Sequence, residues 1–592
     1  MSIFRIVSIL LFCSYSFVTE AQPATEIRIN LGGYPLHMPK KALVLSKNTL
    51  VKPILLLKNA KGEIIKKYNG IPNEKAWHPF SQYYTIDFTD FHEKGSYYFE
   101  LEGSDILSQT FPIGAYPTWQ EDVVSFIRTQ RCGFNPYTKT FCHQKDGLSF
   151  FGTRPDSTRI DATGGWHDAG DQLKYLITGS NTTARLLMAY QMNPGNFKDE
   201  FNAKGLKGAN SLADILDEAK WGLEWILKLH PGPNELYHQV ADDRDHRGFK
   251  LPHKDNADYG WGANSFRPAY FATGKPQGLS KYKSKATGIA NLAGRSAATL
   301  ALAYDVFKEI KGYDEFAETC LKNAKELYEM GQGQEGYQQG NSFGAPYRYE
   351  ENTWADDMEW AAATLYKVTG KEHFLKDART YAKIIGNWSW MERDTASHYE
   401  MYPFVNMGHY ALWQVGSAKD KQQMIDYYKH NLDKIQKRAN ENPYEVGHLF
   451  IWCSNNLAAA VATQAMLFEE MTGSQKYRSL MQNHVNWLFG LNPWASSMIT
   501  EIPENADTPR DVHMPFWKIN KEAIKGSLVD GPLWSTIHDT MLAIECSEPD
   551  EYAHLQPQHI KYWDDWMDYS TNEPTLDGSA ELLLILTYLS NE

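Results

Sequence analysis

Asp168 and Asp171 stand three residues apart in the string Gly164-Gly165-Trp166-His167-Asp168-Ala169-Gly170-Asp171. Glycines at this density allow a tight turn with positive φ and leave open space around the two carboxylates. From Asp171 onward the pattern becomes helical, with Leu173, Leu176, Ile177, Leu186, Leu187 and Tyr190. Both Asp thereby fall at or just before a helix N-terminus, where free N–H groups and the macrodipole favour an ionised carboxylate suited to act as a base. A doubly acidic helix cap is the alternative reading of any Asp-x-x-Asp. A second carboxylate stretch lies about 400 positions further on: Tyr562-Trp563-Asp564, then Tyr569-Ser570-Thr571-Asn572-Glu573-Pro574-Thr575-Leu576-Asp577-Gly578-Ser579-Ala580. Glu573 sits among Tyr and Trp beside Pro574, surroundings of the kind that raise a carboxyl pKa towards the working pH. A lone loop Glu, by contrast, is usually just solvated.

Taken whole, the first string resembles the catalytic base loop of glycoside hydrolase family 9, which reads GGW-[YH]-DAGD. The second resembles that family's acid signature, with Ser579 where the family more often has Asn. The resemblance implies inverting hydrolysis of β-1,4-glucosidic bonds without a cofactor for the chemistry. Glu573 would protonate the leaving oxygen and Asp171 would activate water, at a carboxyl separation of about 6.5–9.5 Å. Asp168 would orient that water and tune Asp171, since like charges so close shift each other's pKa. The implied partner is a β-glucan: cellulose-like, mixed-linkage or xyloglucan, attacked internally. An exo-acting β-glucosidase or glucosaminidase of the same family, or a non-catalytic carbohydrate-binding protein, are the alternatives.

Further residues are carried over by position. Tyr237-His238-Gln239-Val240-Ala241-Asp242 resembles the family's HQVGD loop, with Ala241 for Gly, and marks His238 as a sugar contact. Trp354-Ala355-Asp356-Asp357 resembles an aromatic cleft segment in which Trp354 stacks on a pyranose ring; packing at a helix start is the alternative. Phe489-Gly490-Leu491-Asn492-Pro493, leading to Thr508-Pro509-Arg510-Asp511-Val512-His513, resembles the family's histidine signature. Pro515 occupies the usual Arg position there, and the pattern is closer to a bacterial subgroup reading PRDPH, which marks His513 and Arg510. Tyr569 completes the substrate set.

Cys132, Cys142, His143 and His167 supply two thiolates and two imidazoles, enough for a closed tetrahedral Zn2+ site, although the spacing is not that of a zinc finger. Some members of the resembled family with an immunoglobulin-like module carry a structural zinc with this ligand order. A Cys132–Cys142 disulfide is the competing reading for an exported chain. Calcium is also common in the family; Asp242, Asp243, Asp245 and Asp258 offer oxygens, without EF-hand spacing.

These residues need a large scaffold, and 592 residues exceed one ordinary core. Hydrophobic content of 42% with 22% charged residues fits a folded protein. Aromatic content of 13% suits a cleft that stacks sugar faces, although core packing explains part of it. A net charge of −13 argues against nucleic acid or an anionic membrane as partner. Residues 1–21 read as a secretory signal, with Arg5, the apolar run Ile6 to Phe12 and Thr19-Glu20-Ala21, so the mature chain is expected to be exported and not inserted in a membrane. Cleavage removes Cys13 and leaves five Cys, an odd number that cannot all pair.

Short alternating runs over 26–114, among them Ile27 to Asn30, Ala42 to Leu45, Ile54 to Leu57, Tyr83 to Ile86 and Tyr97 to Leu101, predict a small β-sandwich. The segment resembles the immunoglobulin-like module that precedes many family 9 catalytic domains and supports them. From Trp119 helical windows recur: 119–131, 210–229, 283–311, 313–330, 353–368, 371–387, 418–438, 445–471, 474–489 and 578–589. Helices in that number, with long insertions at 231–282 and 491–534, predict an α/α toroid over 119–592. The resemblance implies an (α/α)6 barrel with its cleft built from the insertions.

Overall fold

The computed structural model describes residues 24–344, 348–393 and 407–591. The expected signal at 1–21 lies outside the described residues. Eight strands come first: β1 (Thr25–Arg28), β2 (Lys41–Ser46), β3 (Ile54–Asn59), β4 (Ile64–Asn69), β5 (Ile71–Asn73), β6 (Gln82–Asp87), β7 (Gly95–Leu101) and β8 (Phe111–Ile113). They form two four-stranded antiparallel sheets, ordered β1-β2-β6-β5 and β4-β3-β7-β8. Tyr34, Phe88, Phe99 and Phe111 fill the space between them in edge-to-face and tilted pairs. β4 and β5 escape a reading by alternation because Ile64, Ile65 and Ile71 are exposed, so these edge strands lack a regularly buried face.

Backbone bonds, side-chain bonds and an inserted ring tie the sandwich to the helical part. Leu31 N–H donates to Phe489 O at 2.8 Å, and Arg28 donates to the carbonyls of Asn492 and Pro493. Trp77 packs on His559, Tyr444, Phe450 and Trp487, with centroids at 4.5, 5.3, 5.9 and 6.4 Å. Of these neighbours Tyr444, Phe450 and Trp487 are buried in the core of the helical part, so the ring joins the sandwich to that core.

Helices then alternate between an outer and an inner ring. The outer ring holds α1 (Trp119–Thr129), α3 (Asp214–Leu229), α5 (Asp314–Gly333), α7 (Glu372–Ile385), α9 (Ala418–Ala439) and α11 (Arg478–Leu488). The inner ring holds α2 (Leu176–Met192), α4 (Ala290–Phe307), α6 (Ala355–Thr369), α8 (Met407–Val415), α10 (Ser454–Thr472) and α14 (Leu576–Leu589). The inner helices α2, α4, α6, α10 and α14 bury nearly their whole circumference and run to Ala, Ser, Thr and Leu, whereas α3, α5, α7 and α9 of the outer ring bury one stripe. Pairing of α14 with α2, α2 with α4, α4 with α6, α6 with α8 and α10 with α14 makes this an (α/α)6 barrel. No helix among the described residues is long and apolar enough to cross a membrane.

One expected window shifts. The window 445–471 is helical only from Ser454, because Cys453 takes φ +61° and starts the helix. α8 lies outside the expected helical windows. After the hairpin of β9 (Phe134–Asn135) and β10 (Thr140–Phe141), the short strands β11 (Asp146–Phe150), β12 (Lys174–Tyr175), β13 (Tyr237–Val240) and β14 (Arg267–Phe271) pair as one sheet in the order β11-β14-β13-β12. The short helices α12 (Pro515–Asn520) and α13 (Ser535–His538) lie in the long approach to α14.

Candidate active site

The loops entering α2, α6, α10 and α14 converge, and the carboxylates of both motifs lie where they meet. Leu576 N–H, at the start of α14, donates to Asp168 O at 2.9 Å, and Gly170 N–H donates to Glu573 Oε1 at 2.9 Å. A Cβ on Gly170 would lie 2.2 Å from His513 O and 2.9 Å from Glu573 Oε1, so only glycine allows this approach. Gly165, at φ +69°, is likewise pressed against Trp225, 2.5 Å from where a Cβ would sit. The glycines therefore bring two loops distant in sequence into contact, with Asp171 one residue from the contact point.

The three carboxyls differ in setting. Asp168 is 2% exposed and accepts from the hydroxyls of Thr178 and Tyr349. Burial, then the Asp577 and Asp171 charges, push its pKa well up. Asp171 is the more open: Oδ1 accepts from Leu173 N–H at 2.8 Å, and Oδ2 lies 3.1 Å from His246 Nε2. Desolvation in the cleft wall works against a charge on His246, but the bonded Asp171, with Asp245 and Asp243, pushes its pKa up to about 9. A charged imidazole thus fixes the carboxylate by a charge-assisted bond. This replaces the helix-terminus expectation: α2 begins only at Leu176, after β12, so Asp171 is held by His246 rather than by a dipole.

Glu573 is 9% exposed, and burial, followed by Asp530 and Asp171, pushes its pKa well above the usual carboxyl range. Its Oε1 accepts from Gly170, leaving the other oxygen to carry a proton. Beside it runs an aromatic wall: Tyr569 lies 5.4 Å from Trp452 and 6.0 Å from His513, and His513 lies 4.7 Å from Phe249. His513 donates through Nδ1 to Trp566 O at 2.6 Å, and burial lowers its pKa to about 4, so the ring is neutral. A protonated carboxyl, an open carboxylate and an aromatic wall can together protonate one oxygen and deprotonate another across a neutral ring substrate.

The remaining expected contacts divide. His513 and Tyr569 join the wall. His238 does not reach the cleft surface: β13 is buried on both faces, and His238 Nε2 accepts from Gln277 at 2.9 Å and Asn341 at 3.2 Å. Trp354 is half-buried against Tyr381, at 5.8 Å, so the packing alternative describes its visible contact. Arg510 points to solvent and pairs with Glu551; what it gives the site is its backbone N–H, on Asp564 Oδ2 at 2.9 Å. The four Asp offered for calcium bond to protein groups, most of them on other segments of the chain. Asp242 binds Arg244 and Tyr270, Asp243 the N–H groups of Phe343 and Gly344, Asp245 that of Gln172, and Asp258 those of Gly260 and Gly262. Three buried carboxylates whose oxygens do lie within 4.8 Å of one another are Glu351, Asp356 and Asp357, with Arg295 bound to two of them. His246, Tyr349 and Thr178 carry no signal in the sequence, since nothing local links them to the Asp they touch.

Cys132, Cys142, His143 and His167 come together as one group, their ligand atoms all within 4.8 Å of one another. The cysteines are unbridged, which sets aside the disulfide. Cys132 Sγ lies 3.7 Å from His143 Nδ1, Cys142 Sγ 3.9 Å from His167 Nε2, and the two nitrogens are 3.2 Å apart. A tetrahedral ion with metal–sulfur bonds of about 2.3 Å and metal–nitrogen bonds of about 2.0 Å asks for S···N near about 3.5 Å and N···N near about 3.3 Å. The donor set fits. His143 also offers Nε2 to Asp255 at 3.1 Å, the carboxylate that orients a metal-bound imidazole. Through Cys132 N–H on Gly165 O and His167 N–H on Gln130 O, both at 2.9 Å, a metal at this point would tie α1 to the base loop.

Comparison with known proteins places these features in context. Residues 116–586 match the model of glycosyl hydrolase family 9, and residues 22–105 match that of the cellulase N-terminal Ig-like domain. Endoglucanase D of Acetivibrio thermocellus is 24% identical over 77% of this chain and 71% of its own length. A cellulose 1,4-beta-cellobiosidase of the same organism is 26% identical over 96% of this chain and 67% of its own. A metagenome-derived glycoside hydrolase family 9 endoglucanase shares the fold with TM-score 0.75 at 24% identity, covering 96% of this chain and 99% of that one. A zinc-binding triple mutant of another family 9 endoglucanase superposes with TM-score 0.74 at 22% identity, covering 94% of this chain and 99% of that one.

Proposed function

The chain belongs to glycosyl hydrolase family 9, and from that premise we propose that it is an exported endo-β-1,4-glucanase that inverts the anomeric centre. The observation that carries the reading is the Gly170–Glu573 bond, which sets a buried carboxyl against the loop of the open carboxylate Asp171. Glu573 gives its proton to the glycosidic oxygen as the bond to the anomeric carbon breaks. Asp171 takes a proton from a water, whose oxygen attacks the same carbon from the opposite face. His246 holds Asp171 in place, and Asp168, bonded to Thr178 and Tyr349, fixes the turn between the two Asp. Tyr569, His513 and Trp452 offer rings against which a sugar face can lie. The substrate is a neutral β-glucan chain, cellulose-like, mixed-linkage or xyloglucan.

For the four-ligand group the donor set favours a structural Zn2+, held by Cys132, Cys142, His143 and His167, closed to substrate and outside the chemistry. One observation favours an exo-acting reading: the relative named a cellobiosidase matches across nearly the whole chain. The product profile on soluble β-glucans separates the two. Endo action lowers viscosity steeply while few reducing ends appear, and yields a ladder of oligosaccharides. Release of one short product with viscosity almost unchanged would favour the exo reading.

A further inference from the structure

Val529 and Pro574 form an antiparallel bridge, and Asp530 N–H donates to Glu573 O at 2.9 Å. In that register Asp530 and Glu573 stand directly opposite each other. Opposed residues of an antiparallel pair project to the same face with Cβ atoms about 4.5–5.5 Å apart. Asp530 is fully buried, and its Oδ2 is fixed by Trp452 Nε1–H at 2.7 Å, from the aromatic wall beside Glu573. Its main chain is pinned as well, since its carbonyl accepts from Asn455 N–H at 2.9 Å at the start of α10. A second carboxyl, built as firmly as the first, therefore stands behind it.

We propose that Asp530 is a positioning residue for the acid step: with Glu573 it forms a carboxyl pair that retains one proton, and the pair keeps that proton on the oxygen facing the substrate. The proposal rests on Glu573 being the acid. Two like charges at this distance cannot both form readily, so the pair gives up its protons in two separated steps and holds one between them. The surroundings reinforce this. Asp171 and Asp168 face Glu573 from the base loop, Asp577 from α14 and Asp568 from the acid loop act on Asp530, and Cys453 touches Asp530 from the start of α10. His513, across Gly170, is neutral, and Tyr569 is a neutral phenol. Acids and neutral groups thus stand nearest the pair, the charged His246 being one carboxylate further off on Asp171, and burial with these acids pushes both Asp530 and Glu573 up. When Glu573 hands its proton to the leaving oxygen, the negative charge it acquires is met by the Gly170 N–H, and the proton returns from solvent after the product departs.

The pH profile of kcat/KM for Asp530→Asn tests this. Removing the charge lets Glu573 ionise sooner. The alkaline limb should then move down by about one pH unit or more, with activity at low pH and KM little changed. On an aryl cellobioside whose leaving group needs no proton, the same variant should show no such displacement. A profile superimposable on the parent's, or a loss equal at every pH and on both substrates, would overturn the proposal. Should Asp530→Asn not fold, Asp530→Ser removes the charge in less volume and is read the same way. Glu573→Gln is run beside it: if that variant keeps turnover the acid assignment itself fails, whereas if it is inactive and the Asp530→Asn profile is unmoved, only the pairing fails.

Discussion

Glu573→Gln is expected to lower turnover of β-1,4-glucan by about 10²–10⁴-fold, the range over which a positioned general acid contributes. The substitution keeps the shape, and its amide still offers an oxygen to Gly170 N–H, so the contact between the two loops survives. What disappears is the transferable proton. Binding of cello-oligosaccharides, measured by calorimetry, should stay within a few-fold of the parent, because the aromatic wall of Tyr569, His513 and Trp452 is untouched. A substrate whose leaving group departs unaided should regain most of the lost rate. Equal loss on both kinds of substrate would mean that Glu573 does something other than donate a proton.

The second large effect is expected at the metal group. Cys132→Ser should remove about one equivalent of zinc from the purified protein and lower the apparent Tm by about 5–10 °C at a fixed scan rate. Cys132 lies three residues beyond the end of α1, with its N–H on Gly165 O, and His167 directly precedes Asp168. Loss of the ion should therefore loosen the base loop and lower activity along with stability. Metal analysis of the parent finding no zinc, or a variant equal to the parent in both Tm and activity, would rule out a structural role for zinc at these four residues.

How far the site is legible in the sequence follows from what kind of contact each residue makes. The Gly164 to Asp171 string is informative because its glycines are demanded by local geometry: Gly165 and Gly170 have no room for a Cβ. The inner helices are visible where they are long, as with α4 and α6. Cys132, Cys142, His143 and His167 are recognisable by residue type and order, and the fold brings them to one point. The burial of His238 is not legible, because a motif gives a position in the chain, whereas burial of β13 on both faces depends on its neighbours β12 and β14. His246 and Asp530 stay hidden for the converse reason. Each matters through a partner far off in sequence, Asp171 or Glu573, and no periodicity or local motif encodes such a pairing.

The central claim, that one carboxyl protonates the leaving oxygen while the other activates water, is tested most directly by the configuration of the first product. Proton NMR on a fresh digest of a β-1,4-glucan resolves the two anomers before mutarotation mixes them. With Asp171 as base and Glu573 as acid, the bond breaks in a single displacement, so the α-anomer should appear first. First appearance of the β-anomer would mean that a side chain attacks the sugar, and would contradict the role of Asp171 as the base that activates water.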